Sequence, residues 1–576
     1  MYNRRKVVVS LLTAALLLGG TWTSPSIARA EQQPKSKNLI ILIGDGMGLS
    51  QVAAARTYLR TQFDIEHLNM DDYFIGQATT YAAHGHDADS GTAVSGVITD
   101  SSAAATAFAS GTKTYNAAVG VTNENVSVPL ASIIEAAKLA GKATGLVSTT
   151  RLTHATPAAF AAHVRNRTNE NAIASQLLES GVDVMLSGGK RQFVSKDEGG
   201  ERTDRSILSD FEKKGYKLVQ NREGLLNLEA SPDQKVLGLF SDYFMPYVLD
   251  RQNEHPSLEE MTKKTLELLA ADKEGFVVMI EGGRIDMASH ANDFPTMIQE
   301  VLELDRAIGV AMDFAKTDQN TSVIVTADHE TGGLALGRDS VYEMNTDLWD
   351  TQANSHEYYY TDFIKLKNHE EIREIARKNN GITNLTDEEA EYILHGKENS
   401  EYLGAIGRYN RVIAKRMSIS WSGYGHTATD VGIWAYGPIA DLVKGHIDNT
   451  DIAQASSNVL GINLDASNAS LRSKYLYPEF IISKDGKVVF PARELAEFFG
   501  ADVQYSKSTK VVSLHLYGKH VDINLNTLTI DTGEVPVLSD TAELKSGLLY
   551  LTLEVFEKLV GQDMEWDTLS ERIVVK

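Results

Sequence analysis

The chain has 576 residues, 43% of them hydrophobic, no cysteine and a formal net charge of −22. That length is ample for a buried core and long for one domain, so two or more domains are expected. The acidity excludes nucleic acid or an anionic membrane as a structural partner, and the lack of cysteine excludes both disulfides and a lipidated-Cys anchor, leaving stability to the core and to metals.

At the N-terminus, Arg4, Arg5 and Lys6 precede an apolar run over 7–20 and the triplet Ala28-Arg29-Ala30. This is the pattern of a secretory signal peptide, residues 1–30, cleaved after Ala30. Its removal takes the charge from −22 to −26. The mature chain is expected to be exported, either extracellular or associated with the cell wall. No stretch approaches the roughly 20 apolar residues that a span needs, so no transmembrane segment is expected.

The aliphatic run 39–43 ends on Asp45, held between Gly44 and Gly46, and reads as a buried strand delivering a carboxylate. From Asn38 to about Leu464, strand-like runs at 142–148, 182–186, 276–280, 321–326 and 431–435 alternate with helical patterns at 132–139, 258–269 and 297–314. The alternation predicts an α/β fold, a doubly wound and mostly parallel sheet. In such sheets ligands gather beyond the carboxyl ends of the strands. Glu281-Gly-Gly-Arg-Ile-Asp286-Met-Ala-Ser-His290 follows one strand, and Asp286 and His290, four apart, share a helix face. Asp328-His329 follows another, and Gly423-Tyr-Gly-His426-Thr427 precedes the last. Singly, each residue reads as readily as a satisfied polar group or a helix cap. Together, Asp45, Glu281, Asp286, His290, Asp328, His329 and His426 offer nitrogen and carboxylate ligands that suit catalytic zinc, with magnesium on the oxygen-only part. Between these blocks, Thr99-Asp100-Ser101-Ser102-Ala-Ala-Ala-Thr106-Ala offers a serine nucleophile at the start of a helix, or merely a serine cap.

In order and spacing these blocks resemble the alkaline phosphatases, as do Gly111-Thr-Lys-Thr-Tyr-Asn116, Ala155-Thr156-Pro157, His163-Val-Arg-Asn-Arg167 and Gly425-His426-Thr427. The resemblance implies a catalytic domain over 31–470 that binds two zinc ions and one magnesium ion per subunit. Asp286, His290 and His426 match the ligands of the first zinc. Asp45, Asp328 and His329 match those of the second, and Asp45, Thr156 and Glu281 those of magnesium. Ser101, after Asp100, matches the nucleophile, whereas Ser102 falls where the family usually has alanine. Arg167 matches the arginine that clamps phosphate. The metal-loaded site then carries a net charge of about +2, which complements a phosphate monoester dianion rather than a diester monoanion. The implied reaction is monoester hydrolysis through a phosphoserine intermediate, rising toward alkaline pH, by a homodimer acting on small phosphomonoesters. A phosphodiesterase or phosphonate hydrolase of the same superfamily shares the metal ligands but typically lacks Arg167 and the Asp100-Ser101 context.

Two positions depart from some bacterial relatives. His154, in the outer shell of magnesium, replaces an aspartate, and Met287 replaces a lysine near phosphate. Ser241 and Gly224 replace acidic residues of an additional calcium site, so calcium is not expected. The segment 337–425 reads as an insertion, a surface excursion or else a lid or subunit interface, with a helix opened by the capping box Thr386-Asp-Glu-Glu389. Residues 477–576 contain an internal repeat: 490–505 recurs as 551–566, each copy a short amphipathic helix, a glycine stop and a strand. This small α+β segment resembles the copper amine oxidase N-terminal-like domain. His515 and His520 are too few to argue for copper, and the module is expected to attach the enzyme at the cell envelope.

Overall fold

A computed structural model describes residues 35–84, 96–396, 403–531 and 542–576; the expected signal peptide lies outside them. Its centre is a ten-stranded sheet. In chain order the strands are β1 (Asn38–Gly44), β2 (Phe74–Thr79), β3 (Ala143–Arg151), β4 (Val184–Gly188), β5 (Tyr216–Val219), β6 (Lys235–Leu239), β7 (Phe276–Gly282), β8 (Thr321–Ala327), β9 (Val431–Tyr436) and β10 (Gly445–Asp448). In space they run β10-β2-β9-β8-β1-β7-β3-β4-β6-β5. β1 sits near the middle, which is why its sequence is apolar without alternation. Leu39, Ile40, Ile41, Leu42 and Ile43 are all 0% exposed, and burying five such side chains contributes on the order of 10 kcal/mol before chain entropy is counted.

The sheet is parallel except at β9, which pairs antiparallel with both β8 and β2. The expectation of a mostly parallel sheet holds, and the exception matters for the site. Because β9 runs backwards, its first residues stand at the edge where β1, β7 and β8 end, so the loop entering it can meet the loops leaving them.

The helices follow the apolar spacing. Leu258–Leu269 starts with a Ser257/Glu260 capping box and buries Leu258, Met261, Thr262, Thr265, Leu266 and Leu269 at intervals of three and four. The helix expected at 297–314 extends over Phe294–Asp318, because Asp293 caps its amides and Pro295 suits its first turn. Among the described residues no helix is long and apolar enough to cross a membrane.

Among the described residues the 337–425 segment forms four α-helices, Tyr360–Lys365, His369–Asn380, Asp387–His395 and Gly404–Arg416, the third opened by the Thr386/Glu389 capping box. C-terminal to the large sheet, three four-stranded sheets carry the repeat, with helices Ala492–Phe498 and Leu553–Val560 in corresponding places. One of these sheets includes Val126–Ser127, which pairs antiparallel with Tyr475–Pro478. Val126 and Val128 are buried with Phe490, Leu495, Phe556 and Leu559 of the small module.

Candidate active site

Strand register brings the acidic groups to one level. Ile43 lies opposite Glu281 on one side and Thr326 on the other, and Gly44 opposite Gly282 and Ala327. Asp45, Glu281 and Asp328 therefore leave the sheet side by side, each 0% exposed. Gly46, at φ +73°, lets the loop turn here, and a Cβ on it would come within 2.7 Å of the Asp286 backbone.

Three clusters result, each with ligand atoms within 4.8 Å of one another: Asp286, His290 and His426; Asp45, Asp328 and His329; and Asp45, His154 and Glu281. In the first, His290 Nδ1 donates to the Tyr424 carbonyl, and His426 Nδ1 donates to the Thr99 carbonyl at 2.8 Å. A carbonyl only accepts, so each ring carries a proton on Nδ1, and Nε2 is the atom left to take a second proton or a metal ion. Those Nε2 atoms face each other at 3.1 Å, and they stand 3.2 and 3.6 Å from the Asp286 carboxylate. Against the effect of burial, the Asp286 carboxylate pushes His290 up to about 9, so a proton holds this place until a metal ion displaces it.

In the second cluster, His329 Nε2 is 3.1 Å from Asp328 Oδ2 and 3.7 Å from Asp45 Oδ1. Asp328 Oδ1 accepts from the Gly46 and His329 amides at 2.9 and 3.0 Å. In the third, Glu281 Oε2 accepts from Ser148 and Thr150 at 2.5 and 3.2 Å. Thr156, fully buried, lies against Glu281 without a well-formed hydrogen bond. Among the described residues, both Asp45 oxygens, Asp328 Oδ2, Glu281 Oε1 and the Thr156 hydroxyl have no hydrogen-bond partner.

Buried carboxylate oxygens without donors are costly unless cations neutralise them. Burial, with the Asp328 carboxylate behind it, pushes Asp45 well above its ordinary pKa, and burial pushes Glu281 up to about 7. Burial opposes ionisation of Asp286 as well, but the surrounding imidazoles, His290 foremost, hold it well below the usual range. Burial and the neighbouring His329 push His426 down to about 4, which leaves it neutral. Carboxylate and imidazole donors with no thiolate fit hard or borderline divalent ions.

Ser101 is the first residue of the helix Ser101–Ser110, and Asp100 caps it by accepting from the Ala103 amide at 2.9 Å. Ser101 Oγ stands 3.3 Å from His329 Nε2 and opens on a cavity of 580 Å³ together with Arg167, Asp286, His290 and His426. Ser102 is turned away, its hydroxyl donating to the Asp100 carboxylate at 2.8 and 2.9 Å. Arg167 donates to Asp100 Oδ2 from Nη1 and to His154 Nε2 from Nη2, both at 3.1 Å.

The second of these bonds assigns the His154 tautomer. Arginine only donates, so Nε2 accepts and the proton lies on Nδ1, which is buried without a partner among the described residues. His154 shares a cluster with Asp45 and Glu281, and its Nδ1–H makes no hydrogen bond to either. Burial, reinforced by Arg167, holds its pKa well below the ordinary value.

Sequence reasoning missed the groups that orient the ligands. Thr331 donates to Asp286, and Ser148 and Thr150 hold Glu281. It also missed a wall of the cavity formed by Phe244, Tyr247, His356, Glu357 and Tyr360. Arg284, 0% exposed, lies behind that wall, 3.6 Å over the Tyr247 ring and 2.6 Å from Glu357. Its place inside the Glu281–His290 block was the one available signal; its partner stands 73 residues later. Three of these wall residues come from the 337–425 segment.

Residues 36–462 match the family model described as Alkaline phosphatase, and residues 474–575 match that of the Copper amine oxidase N-terminal domain. The chain is 36% identical over 472 residues to Alkaline phosphatase 3 of Bacillus subtilis, covering 79% of this chain and 96% of that one. Among solved structures, it is similar to Thermus thermophilus alkaline phosphatase (TM-score 0.66, 30% identity, 77% of this chain and 96% of that one). It is also similar to a histidine-to-aspartate variant of alkaline phosphatase from the Antarctic bacterium TAB5 with Mg bound in the M3 site (TM-score 0.54, 28% identity, 75% of this chain and 100% of that one).

Proposed function

This chain belongs to the alkaline phosphatase family of metal-dependent hydrolases, and from that premise we propose that it hydrolyses phosphate monoesters through a phosphoserine intermediate on Ser101. The observation that carries this reading is the cavity itself, where the Ser101 hydroxyl and the Arg167 guanidinium open beside three clusters of metal-ligating groups. Asp286, His290 and His426 would hold one zinc ion, Asp45, Asp328 and His329 a second, and Asp45, Thr156 and Glu281 one magnesium ion. When bound, these ions supply Lewis-acid stabilisation of the oxygens entering and leaving phosphorus and lower the pKa of the serine hydroxyl.

The protein's own groups then account for the sequence of events. Arg167 offers a planar fork to two phosphoryl oxygens and is held at the correct reach by Asp100. Ser101 Oγ, losing its proton, forms a bond to phosphorus as the bond from phosphorus to the ester oxygen breaks and the alcohol departs. Water then attacks the same phosphorus, freeing Ser101 and releasing inorganic phosphate. Both steps consume a deprotonated oxygen nucleophile, so the rate rises toward alkaline pH. Met287, where a lysine would add charge, leaves phosphate held chiefly by Arg167 and favours product release.

Export as an extracellular or wall-associated enzyme, a homodimeric state, a catalytic domain over 31–470 and an envelope-positioning role for 477–576 belong to the same proposal. They rest on the N-terminal pattern, the family resemblance and the two matched ranges. The test is steady-state hydrolysis of matched aryl phosphate mono- and diesters at alkaline pH, before chelation, after it, and after restoring zinc and magnesium. A monoester preference that vanishes with chelator and returns only with both metals is expected. A diester preference, or turnover indifferent to chelation, sinks the reading.

A further inference from the structure

The small C-terminal module sits against the backbone that carries Arg167. Its strand Tyr475–Pro478 pairs with Val126–Ser127. Arg165, two residues before Arg167, donates to the Tyr477 carbonyl at 3.1 Å, to Ser127 Oγ at 3.2 Å and to the Asn125 carbonyl at 3.1 Å, and it pairs with Glu479 at 3.2 Å. Tyr477, 0% exposed, packs with Ala118 and Val121 in a cluster of its own.

That cluster adjoins the clamp. Ala117 donates its amide to Asp100 Oδ2 at 3.0 Å and accepts from the Arg167 amide at 2.7 Å, and the next rung pairs Val119 with Val164. Ala117 does this at φ +73°, a left-handed conformation that a side-chain-bearing residue keeps only where its surroundings enforce it. Ala118, one residue along, is buried in the cluster that Tyr477 and Tyr475 of the module share with Val121 and Tyr115. Asp100 in turn holds the Arg167 guanidinium. A continuous set of packed and hydrogen-bonded groups thus runs from the module through Arg165 and Ala118 to Arg167.

We propose that the C-terminal module braces the phosphate clamp, with Arg165 and Tyr477 as positioning residues that set the reach of Arg167. The proposal rests on Arg167 binding phosphate, as read above. It adds to any attachment role a direct one: the module is part of the structure that shapes phosphate affinity.

The test uses the full-length, metal-loaded enzyme, with inorganic phosphate as competitive probe and an aryl phosphate as substrate. Arg165→Ala is compared with wild type, and again in an Arg167→Ala background; Arg165→Lys serves as the conservative variant and Tyr477→Ala as the module-side one. A displaced clamp raises the phosphate inhibition constant and KM by about tenfold with a smaller change in kcat. In the Arg167→Ala background the same substitution has less than about a twofold effect, because the two act through one group. Arg165→Lys recovers part of the loss, and Tyr477→Ala reproduces it, with near-wild-type far-ultraviolet dichroism showing that the large domain is intact. If Arg165→Ala and Tyr477→Ala leave phosphate affinity unchanged while Arg167→Ala weakens it, the brace is refuted and the clamp stands. The same factor in both backgrounds refutes the brace too. If Arg167→Ala itself has no effect, the reading of the site fails and the brace with it.

Discussion

Two adjacent serines separate chemistry from architecture. Ser101 Oγ faces His329 and the cavity, whereas Ser102 is satisfied by Asp100. Ser101→Ala is expected to lower kcat/KM by at least about a thousandfold. Ser102→Ala loosens one hydrogen bond of the cap and should cost less than about tenfold; an inverted ranking would reassign the nucleophile. His154 supports a second prediction. Its neutral ring accepts from Arg167 and brings no charge, so His154→Asp places a carboxylate where Arg167 can still donate to it. Outer-shell changes of this kind shift metal affinity by about 10- to 100-fold. The magnesium concentration for half-maximal activity should therefore fall by about tenfold, read from titration of the chelated, zinc-restored enzyme. An unchanged requirement would place His154 outside the magnesium site.

The helix Ile133–Leu139 starts with a capping box in which Ser132 and Glu135 satisfy each other's amides. Glu135 also meets His163 Nε2 at 2.9 Å, while His163 Nδ1 donates to the Gly120 carbonyl at 2.6 Å. Burial opposes both charges, and the pairing outweighs it: Glu135 is held below its ordinary 4.5 by His163, and His163 above its ordinary 6.5 by Glu135. The glutamate's contribution is present above 4.5 and lost as pH falls through its lower folded value. The histidine's contribution is present below 6.5 and lost as pH rises through its higher folded value. The two overlap best between about 4.5 and 6.5 and fade on the alkaline side. Glu135→Gln keeps the cap and removes the charge, so denaturant melts should show a loss of about 1 to 2 kcal/mol at pH 6 and distinctly less at pH 9. Equal losses at both values would mean that the pair does not carry a titrating charge.

Elements also show where the sequence was readable. β1 betrays itself because its run over 39–43 is apolar on both faces, and Asp45 stands out as the first carboxylate after it. His426 is harder. It precedes its strand, which in a wholly parallel sheet would strand it on the far edge; only the reversal of β9 brings it to Asp286, and nothing in 431–435 marks direction. The cavity wall from His356, Glu357 and Tyr360 was equally hidden, since its partners, Arg284 and Asp293, lie some 60 to 70 residues away. Local patterns report periodicity, not which distant loop will close over a site.

For the molecule as a whole, stability and the candidate metals are linked. Three acidic residues, Asp45, Glu281 and Asp328, converge with donorless oxygens in a chain already carrying −22. Any ion that binds the folded state alone stabilises it, by about 4 kcal/mol per site at a thousand times its dissociation constant. Chelation should lower the melting temperature by several degrees and readdition of zinc with magnesium should restore it, followed by calorimetry without substrate. An unaltered melting temperature would mean that the carboxylates are neutralised by protons instead. The C-terminal module enters this balance as well, because it covers Val126 and Val128 and buries its own Tyr477 with Ala118 and Val121.

The backwards strand β9 has a consequence for timing. A chain emerging from the ribosome holds Asp45, Glu281 and Asp286 long before His426, and the gap between β2 and β8 stays open until residue 436 has been made. Closing it joins segments some 350 residues apart, a slow, late event in any folding order. Until then Asp286 and His290 lack the third member of their cluster, so that site is completed only where folding finishes rather than where synthesis begins.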